Sequence, residues 1–214
     1  MAYIYSGQEF YGRMFEVTPA VLIPRPETEI LIDAALAVVS KDARVRIVDV
    51  GTGSGCLAVT MACERPSTRA MAIDISEAAI AVARRNAIRH GVENTVTLAV
   101  GDLFPDDLAG EVFDLILSNP PYVPERDRAT LPPEVRDYEP ESALYAGEDG
   151  LAVIRRLLPA SADHLKPGGF VIFEIGVGQD AAVAELISAT TGLRMAGLRN
   201  DLQGIPRTVV VERT

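Results

Sequence analysis

Apolar and polar positions along this chain follow two alternating rhythms. Short runs dominated by apolar and β-branched residues read as strands: Val45–Val50, Arg69–Ile73, Thr95–Val100, Phe113–Ser118, Phe170–Glu174 and Arg207–Val211. Between them the apolar spacing lengthens to three and four, which predicts helices. One covers Cys56 to Cys63 and closes before Pro66. The next is capped by Ser76, keeps Ala79, Ile80, Ala83, Ala87 and Ile88 on one face, and stops at Gly91. Two more run from about Gly150 to Leu165, ahead of Lys166-Pro-Gly-Gly169, and from Gln179 to Thr190. Strands alternating with helices predict an α/β fold with a mostly parallel sheet covered by helices on both faces. The C-terminal run reads as a last strand.

The rhythm fails between Asn119 and about Glu148, where six of the chain's fourteen prolines fall. A connection this long is usually functional or disordered, and the prolines favour a shaped loop. Residues 1–44 read as a leading segment, a possible short hairpin plus helix, ahead of a main domain over residues 45–214.

At 214 residues and 48% hydrophobic content the chain can bury a core without disulfides or metal, and no metal site is expected. Its two cysteines, Cys56 and Cys63, fall about 10 Å apart along one predicted helix, too far to bridge, and read as core. With no apolar run near the ~18 residues of a membrane span and no signal peptide, the expectation is a cytoplasmic protein with no membrane partner. The net charge of −10 is uneven: residues 101–150 carry thirteen acidic against three basic side chains. An acidic surface repels phosphate backbones, so direct nucleic-acid binding is not expected.

Open α/β sheets bind ligands beyond the carboxyl ends of their strands. Those ends carry Asp49 to Gly55, Asp74, Asp102, Asn119 to Tyr122, and Glu174. Gly51-Thr52-Gly53-Ser54-Gly55 is a turn that lets a ligand approach the backbone and exposes amides at a helix N-terminus, although a tight strand–helix turn would look the same. Asp74, at the end of the next strand, suits ribose hydroxyls. The Gly-x-Gly-x-Gly spacing differs from the dinucleotide pattern, and the phosphate-loop lysine is missing. Asp102 could accept from an adenine amino group, with Leu103 packed on the ring, or could be an ordinary turn aspartate.

Asn119-Pro120-Pro121-Tyr122 is the sharpest signal. Consecutive prolines offer no backbone donors. The Asn119 side-chain oxygen and the Pro120 carbonyl could both accept from a planar NH2 group, with Tyr122 stacked on it. A proline-rich turn with a capping asparagine is the alternative. Arg25, Glu27 and Glu29 could shape a pocket mouth or form salt bridges, Glu174 could line the site, and Arg136 and Glu139 could touch a protein substrate. Tyr11 and Phe15 read as packing residues, and His90 and His164 as structural.

Asp49-Val-Gly-Thr-Gly-Ser-Gly55, Asp74 and Ser118-Asn-Pro-Pro-Tyr122 resemble class I S-adenosylmethionine-dependent methyltransferases acting on planar nitrogen. Val21-Leu-Ile-Pro-Arg-Pro-Glu-Thr-Glu29, Glu9-Phe-Tyr-Gly12, Tyr138-Glu-Pro140 and Phe173-Glu-Ile-Gly176 narrow the likeness. Together they resemble the HemK/PrmC-type release-factor glutamine N5-methyltransferases, over about Tyr3 to Val211. The resemblance implies a Rossmann-like sheet, mostly parallel with an antiparallel C-terminal edge strand. It implies methylation of the Gly-Gly-Gln glutamine of peptide-chain release factors, with S-adenosylhomocysteine as the product. Gly51, Thr52, Gly53, Ser54, Gly55, Asp74, Asp102, Leu103 and Asn119 would contact the cofactor. Asn119, Pro120, Pro121 and Tyr122 would hold the substrate amide, with Asn119, Pro120 and Tyr122 catalytic. Family members usually begin with a small helical domain, which is expected to be absent here. The alternatives are an amino-group DNA or RNA methyltransferase, which shares the Asn-Pro-Pro-Tyr motif, and a non-catalytic cofactor-binding module.

Overall fold

The computed structural model describes residues 2–214, the side chains of Ala2, Ile4 and Asp107 excepted; Met1, where the leading segment begins, lies outside the described residues. The chain opens with α1 (Ala2–Tyr5), β1 (Gly7–Phe10), β2 (Arg13–Glu16) and α2 (Glu29–Val38). It continues through β3 (Arg46–Val50), α3 (Cys56–Glu64), β4 (Arg69–Asp74), α4 (Glu77–Arg89), β5 (Val96–Val100) and β6 (Phe113–Ser118). It ends with α5 (Pro133–Arg136), α6 (Ala152–His164), β7 (Leu165–Glu174), α7 (Asp180–Ala189), β8 (Leu193–Asn200) and β9 (Pro206–Arg213).

β3 to β9 form one sheet in the order β5-β4-β3-β6-β7-β9-β8. The β5-β4-β3-β6-β7 pairs are parallel; β9 runs antiparallel to β7 and to β8. The strand order reverses between β3 and β6, which opens a crevice at their carboxyl ends. There the Ser118 hydroxyl donates to the Val50 carbonyl at 2.7 Å. Successive strand residues enter opposite cores, as a period of two requires. Ile47, Leu115, Leu117, Ile172 and Val210 pack with α2, α3 and the β1-β2 hairpin. Val48, Ile116, Val171, Phe173, Val209 and Val211 pack with α6 and α7.

Both layers and the antiparallel C-terminal strand match the sequence reading, and β8 adds an outer strand that the reading lacked. Its inner and outer positions, Leu-Arg-Met-Ala-Gly-Leu-Arg-Asn, are mostly exposed, so no apolar rhythm marks it. β7 begins at Leu165, five residues before the strand read from the sequence. Lys166-Pro-Gly-Gly169 looked like a break; the ladder instead shifts register between Phe113 and Leu115 and continues.

The leading segment holds the β1-β2 hairpin and α2. Tyr11 and Gly12 turn with φ of 50° and 70°, the left-handed pair that a two-residue hairpin favours. The Tyr11 amide donates to Glu29 Oε1 at 2.8 Å, which pins the turn to α2. Asn86 on α4, fully buried, accepts from the Glu16 amide at 2.7 Å and donates to the Glu16 and Ser54 carbonyls at 3.0 and 2.8 Å. One side chain thus holds the hairpin against the glycine turn. No helix among the described residues is long and apolar enough to cross a membrane.

Candidate active site

A cavity of about 270 Å³ lies over the strand reversal, walled by the β3, β4, β5 and β6 ends and by Leu22, Pro24 and Thr28. On leaving β3 the chain bends through Gly51, Gly53 and Gly55, with φ of 74°, 55° and 82°, a region that favours glycine. Gly51, Thr52, Gly53 and Ser54 wall the cavity. Gly55 stands behind them at the start of α3, where a Cβ would meet Ala83 Cβ at 3.1 Å. Its lack of a side chain serves helix packing.

The expectation of exposed amides is corrected. The Gly51 and Thr52 amides both donate to the Ile73 carbonyl at 2.9 Å, and the Gly53 amide donates to Asp74 Oδ2 at 2.8 Å. With three donors already satisfied, this turn is poorly made for a phosphate. A bare glycine backbone beside carboxylates suits a positively charged ligand instead. Beneath it, fully buried Asp49 accepts from Thr52 Oγ1 at 2.6 Å and from the Ala58 amide at 3.1 Å. Burial pushes its carboxyl up to about 7, against those hydrogen bonds.

Asp74 Oδ1 accepts from the Ser76 amide at 2.9 Å, so the backbone fixes both carboxylate oxygens at the cavity wall. Beside it Ile75 is 63% exposed, an apolar surface that the sequence reading missed. Asp102 also reaches the wall, but Arg156 holds it at 2.6 Å. Leu103 lines the cavity with φ of 58°, uncommon for a residue other than glycine. The structure therefore gathers Asp74, Asp102 and Leu103 on one cavity.

Asn119 and Pro120 stand where this cavity meets a second one of about 160 Å³, walled also by Arg25, Tyr122, Leu131 and Val135. Pro121 faces the first cavity and Tyr122 the second. Asn119 Nδ2 donates to Thr28 Oγ1 at 3.0 Å. Thr28 Oγ1 donates in turn to Glu174 Oε2 at 2.6 Å, and the Tyr122 hydroxyl donates to Glu174 Oε1 at 2.9 Å. Thr28 and Glu174 are each 1% exposed. Burial raises the Glu174 carboxyl above its ordinary value, opposed by the two hydroxyl donors and by Arg207. Burial also holds the Tyr122 phenol in its protonated form.

The 119–148 connection is shaped. Short helical turns at Glu125–Thr130, Pro133–Arg136 and Glu141–Ala143 break it up. Val123 donates to the Leu144 carbonyl at 2.9 Å and accepts from Ala146 at 3.0 Å. Gln179 Nε2 donates to the Tyr122 carbonyl at 3.0 Å, while its Oε1 accepts from the Gly176 amide at 2.8 Å. Gly150, with φ of 77°, packs so closely that a Cβ would collide with the Tyr122 carbonyl. Arg25 pairs with Glu139 at 2.5 Å and ties the leading segment to this loop. Arg136 pairs with Asp137 instead, His90 reaches the Met14 carbonyl, and His164 reaches the Glu111 carbonyl. Phe15 is fully buried, in keeping with a packing role.

A sheet of this strand order, with its ligand cavity over the reversal, is the fold of class I methyltransferases, and comparison with known proteins refines the class. The Methyltransferase small domain family matches residues 28–131. A Koribacter versatilis protein named release factor glutamine methyltransferase is 46% identical over 208 residues, 97% of this chain and 72% of that protein. One of the same name from Geobacter sulfurreducens is 45% identical over 209 residues, 98% of this chain and 72% of that protein. A methyltransferase structure from Pyrococcus furiosus shares the fold, with a TM-score of 0.68 at 19% identity, over 94% of this chain and 89% of that one. The chain belongs to the release factor glutamine methyltransferase family. It is an S-adenosylmethionine-dependent methyltransferase.

Proposed function

We propose that this protein methylates the side-chain nitrogen, N5, of the glutamine in the Gly-Gly-Gln motif of a peptide-chain release factor. The observation that carries the reading is the Asn119 carboxamide: Asn119 lines both cavities, and with Nδ2 given to Thr28 its Oδ1 is left to accept. Beside it the Pro120 carbonyl follows from a residue pair that lacks amide donors. Two acceptors in this place suit the two N–H groups of a carboxamide. The name carried by the relatives supports the same acceptor.

The residues fit S-adenosylmethionine. Asp74 would accept from the ribose hydroxyls, and Asp102 and Leu103 would hold the adenine, with Ile75 as a further apolar surface. Gly51 to Ser54 would lie along the amino-acid part, Gly55 keeping the turn in place, and Asn119 would border the sulfur end. When bound, this cofactor supplies a methyl group on a positively charged sulfur. Asn119 and Pro120 orient the acceptor amide and, by accepting from both N–H groups, raise the electron density on a nitrogen otherwise delocalised into its carbonyl. Tyr122 packs against that amide. As the nitrogen gained the methyl and the methyl–sulfur bond broke, leaving neutral S-adenosylhomocysteine, the nitrogen would become acidic and lose a proton to water, so no base need act beforehand. The main contribution is positioning, followed by electrostatics. In this reading residues 45–214 are the transferase domain, and residues 1–44 complete its acceptor side through Arg25 and Thr28.

The test is transfer of labelled methyl from S-adenosylmethionine to a purified release factor and to the same protein with the motif glutamine replaced by alanine. Label on the first alone is expected. Equal label on both would overturn the assigned acceptor.

A further inference from the structure

The Asn119 carboxamide could in principle sit either way round, since its oxygen and nitrogen have nearly the same shape. Its surroundings choose one orientation. The Thr28 hydroxyl has a single proton, and that proton goes to Glu174 Oε2 at 2.6 Å. Towards Asn119, Thr28 is then only an acceptor, and it takes Nδ2 at 3.0 Å. Glu174 keeps this direction because its other oxygen is engaged by the Tyr122 hydroxyl at 2.9 Å. The chain of donors thus runs from Asn119 through Thr28 into one buried carboxylate. Thr28 has little freedom to move: it is β-branched, closes the helical turn Pro26–Thr28, and donates its amide to the Arg25 carbonyl at 3.1 Å.

We propose that Thr28 and Glu174 are positioning residues that fix the direction of the Asn119 carboxamide and so make the acceptor site choose a carboxamide over a carboxylate. The proposal rests on the glutamine reading above and deepens it. With Oδ1 facing the acceptor, a glutamine NH2 group is bonded, whereas a glutamate oxygen meets another oxygen. Freed from Thr28, Asn119 could rotate and offer its NH2 instead, which favours the carboxylate. A site that pairs a particular polar group rejects the isostere lacking it by a large factor.

The experiment compares the wild type with Thr28→Val, which keeps the shape and removes the hydroxyl, and with Thr28→Ser, which restores it. Three readouts are taken: kcat and KM for a release factor, inhibition by the same factor with its motif glutamine changed to glutamate, and S-adenosylhomocysteine affinity. For Thr28→Val, kcat is expected to fall on the order of 10²-fold, as for a misplaced acceptor. The preference for glutamine over glutamate should shrink, and S-adenosylhomocysteine affinity should stay within a few-fold. Thr28→Ser should recover most of kcat and the preference. A Thr28→Val protein with wild-type kcat, or with reduced kcat but an unchanged preference, overturns the proposal. If Thr28→Val does not fold, Thr28→Ala is read in the same way: it too removes the hydroxyl that accepts from Asn119, so wild-type kcat and preference there would equally overturn the proposal. A wild-type protein that methylates no release factor would fail the glutamine reading, a result seen before any variant is made.

Discussion

Asn119 gives its amide nitrogen to Thr28 at 3.0 Å, across 91 positions of sequence. That contact leaves the asparagine oxygen open to accept and, in the proposed reading, separates two tasks within one site. Asn119 would serve the substrate amide, while the β4 and β5 ends would serve the cofactor.

Replacing Asn119 by alanine should therefore lower kcat on the order of 10²-fold or more, because an amide held at one end is no longer in line. Cofactor affinity should stay within a few-fold. Steady-state kinetics with calorimetry on the same preparation checks both, and a variant that works at the wild-type rate would remove Asn119 from the acceptor site.

Asp74→Ala should behave in the opposite way. Losing a charge-assisted acceptor for the ribose should weaken cofactor binding by about 1–3 kcal/mol. The Gly53 and Ser76 amides also lose their partner, so the loss should be at the upper end. Calorimetric titration with S-adenosylhomocysteine reads it, and an unchanged affinity contradicts the ribose assignment.

Activity should fall on the acid side. Burial raises the Glu174 carboxyl above its ordinary 4.5, so it takes up a proton at a higher pH than an exposed glutamate would. Once protonated, it no longer accepts from both Thr28 and Tyr122, and the hold on Asn119 loosens. A profile of kcat against pH should show an acid limb above 4.5. A profile that stays flat to below 4.5, with the protein still folded, would speak against the Glu174 carboxylate holding Thr28 and Asn119 in place.

Stability should move with pH through Asp49. Its folded-state carboxyl titrates near 7 against an ordinary 3.8, so the native chain holds the proton more tightly than the unfolded chain. The Asp49 contribution to stability is therefore fully present below 3.8, is lost as pH rises towards about 7, and is level above that. Urea unfolding of the wild type and Asp49→Asn across that window should show the steeper decline in the wild type. Parallel declines would contradict it.

The strand ends and the convergence of Asp74, Asp102, Leu103 and Asn119 to Tyr122 on one edge of the sheet were legible because each follows a local apolar run. What the sequence hid depends on distant partners. Thr28 lies in a proline-rich stretch with no rhythm of its own, and its role appears only when Glu174, 146 positions away, is beside it. Asn86 reads as an ordinary helix residue until the hairpin and the glycine turn close around it. The glycine turn was read as donating amides because the Ile73 carbonyl, which takes two of them, sits on the neighbouring strand. β8 escaped because a mostly exposed edge strand carries little apolar pattern.

The most direct measurement is mass spectrometry of an intact release factor after incubation with this protein and S-adenosylmethionine, followed by fragment mapping. One added methyl on the Gly-Gly-Gln glutamine is the expected result. A methyl elsewhere, or none while S-adenosylhomocysteine still binds, would contradict the assignment of Asn119 and Pro120 to a glutamine amide.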